Sequence, residues 1–139
     1  MVVGLGIDVV ELGEFRARMD AGRLDEFYLP EEQAYARTQV RHWENLGARM
    51  AAKRAALRAL GDHSDDPPWL EVEVVRAESG ELDLRLRGAA RERAEALGAR
   101  VCLVSMTHTR TAALAVVVLE AESDEERNAL QGGGLEQHR

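Results

Sequence analysis

A chain of 139 residues with 45% apolar residues has the size and core-forming content of one compact domain and is too short for a multidomain enzyme. Its net charge of −7 argues against general nucleic-acid binding, no apolar run reaches the length of about 18 residues that a membrane span needs, and Met1-Val2-Val3-Gly4 lacks the basic start of a secretory signal, so a cytoplasmic protein without membrane or nucleic-acid partners is expected. The one cysteine, Cys102, makes no internal disulfide, and four scattered histidines supply no Cys/His zinc cluster.

Val2 to Val10 is an apolar run holding Gly4 and Gly6 and interrupted by Asp8. It predicts a short, largely buried strand with close backbone approach at the glycines, and a buried aspartate that needs a partner. Glu11 to Met19 fits a helix with Leu12 and Phe15 inward, ending near Gly22. Pro30, Glu31 and Glu32 then stand where a helix N-terminus favours them, predicting a short helix over Glu31 to Thr38. The best-defined helix runs from about Trp43 to Leu60 and stops at Gly61, with an apolar stripe of Leu46, Met50, Leu57 and Leu60 into which Lys53 falls. Asp62 to Pro68 is a polar turn. Glu71 to Val75 and Leu82 to Leu86 alternate around Glu78-Ser79-Gly80 and predict a β-hairpin of open register. Ala89 to Leu97 reads as a helix ended by Gly98, and Arg100 to Thr107 and Ala112 to Ala121 as strands. The run Val116 to Leu119 suits a strand buried on both faces. The expected fold is α+β: one domain over residues 1–121, an antiparallel sheet on a long central helix, then a polar, glycine-rich tail over 122–139.

Charge is segregated. Arg41 to Gly61 carries a net +4, leaving −11 on the rest, and Lys53 is the chain's single lysine. Helical spacing puts Arg49 beside Lys53 and Arg54 beside Arg58, like-charge pairs that are mildly unfavourable without an anion between them. A phosphate-binding face and a basic face satisfied by the protein's own carboxylates both meet that pattern, and spacing alone favours the second. Asp8, at the end of an apolar strand, suits a hard cation or an arginine partner. Ser105-Met106-Thr107-His108-Thr109 ends a strand in a tight turn, where hydroxyls and an imidazole can donate to ligand oxygens.

Taken in order, Val3-Gly4-Leu5-Gly6-Ile7-Asp8-Val9-Val10-Glu11-Leu12, then Arg49 to Gly61 (Arg-Met-Ala-Ala-Lys-Arg-Ala-Ala-Leu-Arg-Ala-Leu-Gly), then Ser105 to Thr109 resemble the holo-acyl-carrier-protein synthases, the small bacterial 4'-phosphopantetheinyl transferases. The likeness covers residues 1 to about 120. It implies a 4'-phosphopantetheinyl transferase-like fold, transfer of the 4'-phosphopantetheine arm of coenzyme A to a carrier-protein serine with release of 3',5'-ADP, and a homotrimer with sites at subunit junctions. By resemblance Asp8 is the magnesium aspartate and belongs, with Lys53 and Arg54, to the catalytic group. Arg49, Lys53, Arg58, Ser105, His108 and Thr109 are the implied coenzyme A contacts.

One position departs. The family's second magnesium ligand is a glutamate directly after the lysine, and here it is Arg54. An Asp8–Arg54 ion pair in place of the ion is the simplest expectation, so magnesium is implied by the family and opposed by this residue. The helix after Asp8, basic toward an acidic carrier in the family, here mixes Glu11, Glu14, Arg16, Arg18 and Asp20, implying a different carrier or none. Two other functions stay open: an inactive relative that binds coenzyme A or a carrier protein, and different chemistry on a coenzyme A or carrier-bound thioester with His108 or Asp8 as acid or base.

Overall fold

The first strand and the long helix set the architecture of the computed structural model, which describes residues 1–19 and 22–123 with Glu125, Asn128 and Ala129. Most of the segment over 122–139 lies outside the described residues, as does Asp20. Strand β1 (Val2–Glu11) packs on α4 (His42–Ala59), and the contact is backbone on backbone. A Cβ added at Gly4 would stand 2.4 Å from the Ala59 carbonyl oxygen, and Ala51, Ala52, Ala55, Ala56 and Ala59 are all buried. The close approach expected at the glycines is therefore present, with alanines supplying the other half of the fit.

β1 pairs with β5 (Ala112–Ala121), and β5 with β4 (Ala99–His108), in an antiparallel sheet of order β1-β5-β4. The central β5 carries the valine-rich run, and Ala113, Ala115, Val117 and Leu119 point into the core against α4. Alternation leaves the opposite face open: Leu5, Ile7 and Val9 of β1, Leu114 of β5, and Val101 and Leu103 of β4 are each between 37% and 59% exposed.

Between β1 and α4 lie α1 (Leu12–Met19), α2 (Leu24–Phe27) and α3 (Pro30–Arg37). Leu12, Phe15 and Met19 turn inward as their spacing predicts, and Glu11 accepts hydrogen bonds from the Gly13 and Glu14 amides at the helix start. Pro30 opens α3 at its first position. The four-residue α2 had no periodic signal to announce it. After α4, a 3₁₀ turn at Trp69–Glu71 leads to the hairpin of β2 (Val72–Arg76) and β3 (Leu82–Leu86), in the register Val72↔Leu86 and Val74↔Leu84. Helix α5 (Gly88–Ala96) returns the chain to β4.

Cys102 faces inward from β4, and burial, helped by the Asp83 carboxylate, pushes its thiol from 9.0 to about 11. The thiolate is the nucleophile, so at pH 8 the folded protein should be alkylated about 100-fold more slowly than the chain unfolded in urea. Equal rates by mass spectrometry would mean that β4 does not hold the thiol against the core.

Candidate active site

Alternation along β1 sends Gly6, Asp8 and Val10 inward, so the Asp8 carboxylate meets α4, with its side chain 3% exposed. Helical spacing stacks Arg54 and Arg58 on the facing side. Arg58 Nη1 lies 3.0 Å from Asp8 Oδ1 and donates to the Ile7 carbonyl at 2.9 Å, while Arg54 Nε lies 3.3 Å from Asp8 Oδ2. Burial pushes the Asp8 carboxyl above its ordinary value, and the Arg54 and Arg58 charges and the Val9 amide pull against that shift. Oδ2 accepts no hydrogen bond among the described residues, so Arg54 faces it as a charge and not as an aligned donor. The expected Asp8–Arg54 pair is present, with a second arginine added.

Both guanidiniums reach the wall of an open cleft of about 690 Å³, between α1, the end of α4 and the loop after it. Val9, Phe15 and Leu57 supply apolar wall, and the polar rim mixes Arg18 and His63 with the carboxylates Glu11, Glu14, Asp62 and Asp65. The Arg54 and Arg58 side chains are 38% and 45% exposed, open to a ligand from this side.

The structure moves Arg49 and Lys53 out of this constellation. Both are buried on another side of α4, where their charges meet protein groups. Lys53 Nζ lies 2.7 Å from Glu32 Oε1 and donates to the Val72 and Trp69 carbonyls, so all three of its protons have acceptors. Glu32 accepts in turn from the Leu29 and Val74 amides. Arg49 donates to Asn45 Oδ1 and the Val74 carbonyl and stacks over Tyr35 at 4.6 Å. Burial lowers both bases from their ordinary values, against the pull of Glu32. These cations tie β2 to α3 and α4, and neither is reachable as a coenzyme A contact. Each like-charge pair of α4 thus has a carboxylate of its own, Glu32 for one and Asp8 for the other.

The turn residues separate too. Ser105 lies on the open face of β4, whereas His108, three residues on, borders a second cleft of about 370 Å³ with Gln39, Arg41, Asn45, Arg76 and Met106. The Thr109 hydroxyl is occupied locally, accepting from the Thr111 and Ala112 amides at 3.2 and 3.1 Å. Arg41 and Arg76 make this cleft cationic. Nothing in the sequence places Arg76 here, because it arrives from a distant hairpin; the basic run over 41–61 is the signal that points to Arg41.

The two clefts flank α4 at opposite edges of the sheet. Asn45 and Arg54 are nine residues apart, half a revolution out of phase. Asp8 on β1 and Met106 on β4 are both partners of Ala115, one strand to either side.

The comparisons decide the family. The holo-[acyl-carrier-protein] synthase of Desulfovibrio desulfuricans is 41% identical over 126 residues, which cover 87% of this chain and 99% of that protein. This chain belongs to the holo-[acyl-carrier-protein] synthase family. Among solved structures, the Bacillus anthracis holo-(acyl-carrier-protein) synthase in complex with CoA (3',5'-ADP) is 26% identical with a TM-score of 0.72, covering 88% of this chain and 99% of that one. The Plasmodium yoelii acyl carrier protein synthase with ADP bound shares the fold at a TM-score of 0.79 and 17% identity, covering 88% and 98%. No family model matches the chain. The single α+β domain, with its antiparallel sheet on a long helix, is that of the holo-synthases.

Magnesium, which the synthase resemblance implies at Asp8, does not fit the residues present. Both carboxylate oxygens already face guanidinium nitrogens, and among the described residues no three His, Cys, Asp or Glu side chains converge on one point. Magnesium demands near-octahedral oxygen ligation at short range. A dication bound to Asp8 would stand within a few ångströms of two positive charges, a repulsion on the order of several kcal/mol each at an effective dielectric of about 20.

Proposed function

We propose that this chain is a working holo-synthase: it carries the 4'-phosphopantetheine arm from coenzyme A to the serine of an acyl carrier protein. The seryl oxygen bonds to the phosphorus on the pantetheine side, the bridging phosphorus–oxygen bond breaks, 3',5'-ADP leaves, and the hydroxyl proton passes to water. Arg54 and Arg58, held in place by Asp8, face the phosphates, and the apolar wall of the larger cleft receives the arm. The observation that carries this reading is the open pair of guanidiniums on a buried carboxylate, lining a cleft large enough for a cofactor, in a chain whose relatives are holo-synthases.

The reading includes a homotrimer. One chain offers two clefts on opposite sides of α4, the larger with arginines and carboxylates mixed along its wall and the smaller with Arg41 and Arg76 as its charged residues. The trimer would bring one of each kind together at a subunit junction. A neighbouring copy would place its His108, Arg41 and Arg76 beside this chain's Arg54. The exposed Leu5, Ile7, Val9, Val101 and Leu103 on the outer sheet face supply apolar surface for that association. No helix among the described residues is long and apolar enough to cross a membrane, and the reading places the enzyme in the cytoplasm. On α1, Glu14, Arg16 and Arg18 are exposed, a mixed surface that suits a carrier with basic as well as acidic docking residues.

Incubation with coenzyme A and a panel of apo-carrier proteins should add the phosphopantetheine mass to one of them, and sedimentation should give three times the chain mass. A carrier panel that stays unmodified while coenzyme A binds would favour the inactive relative.

A further inference from the structure

The charge at the centre of the site is inverted relative to a metal-dependent one, and its geometry shows what takes the metal's place. Arg58 is fixed at two points, Asp8 Oδ1 and the Ile7 carbonyl, both through Nη1. Arg54 faces Asp8 with Nε at 3.3 Å and without a hydrogen bond to Oδ2, and no hydrogen bond from its terminal nitrogens to a protein acceptor is formed among the described residues. Both side chains are more than a third exposed and border the cleft, while the carboxylate that aligns them is buried. The group carries a net +1. It is an anchored arginine beside a looser one, both with unused planar donors, which is what bidentate recognition of adjacent phosphates requires.

Resting on the transferase reading above, we propose that Arg54 and Arg58 grip the diphosphate of the nucleotide directly, with Asp8 as their positioning residue, so that this chain needs no divalent cation to bind it. The looser Arg54 turns its free nitrogens onto the phosphates while Nε stays near Oδ2, and Arg58 presents Nε and Nη2 from a fixed base. A diphosphate meets a net +1 here, delivered through two planar guanidinium forks and without the strict octahedral geometry a dication demands.

Calorimetric titration of the full-length protein with coenzyme A and with 3',5'-ADP, in EDTA and in 10 mM MgCl₂, tests this. The two dissociation constants for each ligand should agree within about threefold, and Arg54→Ala and Arg58→Ala should each weaken binding about 10- to 100-fold, the span expected for losing charge-assisted hydrogen bonds. Arg54→Lys should fall in between, keeping the charge and losing the fork, and it serves as the informative variant should the alanine form not fold by circular dichroism. Arg54→Glu should reverse the behaviour, binding neither ligand in EDTA and recovering with magnesium. Wild-type binding that vanishes in EDTA and returns with magnesium, or alanine variants that bind as wild type does, would overturn the metal-free grip and leave the transferase reading standing. No binding of coenzyme A in either buffer would overturn both.

Discussion

Gly6→Ala should abolish folding. The added Cβ would lie 1.8 Å from the Ala55 carbonyl oxygen and 2.7 Å from its carbon, and both belong to the backbone of the helix on which the sheet rests. No rotamer relieves a Cβ. The strand must leave α4 or the helix must shift, and either motion opens the interface that holds Asp8 against Arg54 and Arg58. Losses above about 4 kcal/mol are exceptional for one substitution and a large part of the 5–15 kcal/mol that typically stabilises a domain of this kind. The expected result is little soluble protein and no cooperative thermal transition. Gly80→Ala is the control. It meets no atom within 4 Å, and its cost is the positive φ of 90°, about 1–2 kcal/mol. Comparable melting temperatures for the two variants would show that β1 does not sit on the α4 backbone.

Lys53→Met should destabilise the protein by about 3–5 kcal/mol, the range for breaking a buried ion pair from one side. The substitution leaves the Glu32 carboxylate in the interior with the Leu29 and Val74 amides as its donors and only the more distant Arg49 charge to balance it. Adding Glu32→Gln should recover most of that loss, since the amide is neutral and its oxygen still accepts one of those two N–H groups. Chemical denaturation of the two single variants and the double variant gives the coupling between them, expected above about 2 kcal/mol. The folded double variant should bind coenzyme A as wild type does, because this pair lies on a different side of α4 from Arg54 and Arg58. A large loss of affinity with unchanged stability would return Lys53 to the binding residues.

That contrast marks what was legible in the sequence. The core stripe of α4 was, because Leu46, Met50, Leu57 and Leu60 follow the helical period and all are buried. The glycines of β1 announced a close contact, and an aspartate in an apolar strand announced a partner. The Arg54 contact followed from where the family keeps an acidic group. Lys53 was misplaced because its burial depends on Glu32, twenty-one residues earlier, and no spacing rule connects two helices across a core. A lysine inside an apolar stripe was itself the signal: a buried ammonium requires a buried carboxylate, and Glu32, at the start of a proline-initiated helix, was the acidic residue best situated to turn inward. The hairpin register stayed open because both of its strands alternate and the turn between them allows more than one pairing. The second cleft was hidden for a simpler reason. Arg76 and His108 are thirty-two residues apart, and only the folded chain puts them on one wall.

The burial of the chain's one lysine also makes this protein unusually easy to follow by protease and acylating reagents. A lysine-specific protease has a single bond to cut, inside the central helix, and an amine-reactive ester has a single side chain to modify, with no solvent access to it in the native state. Cleavage therefore counts openings of the whole domain and is blind to fraying at loops and ends.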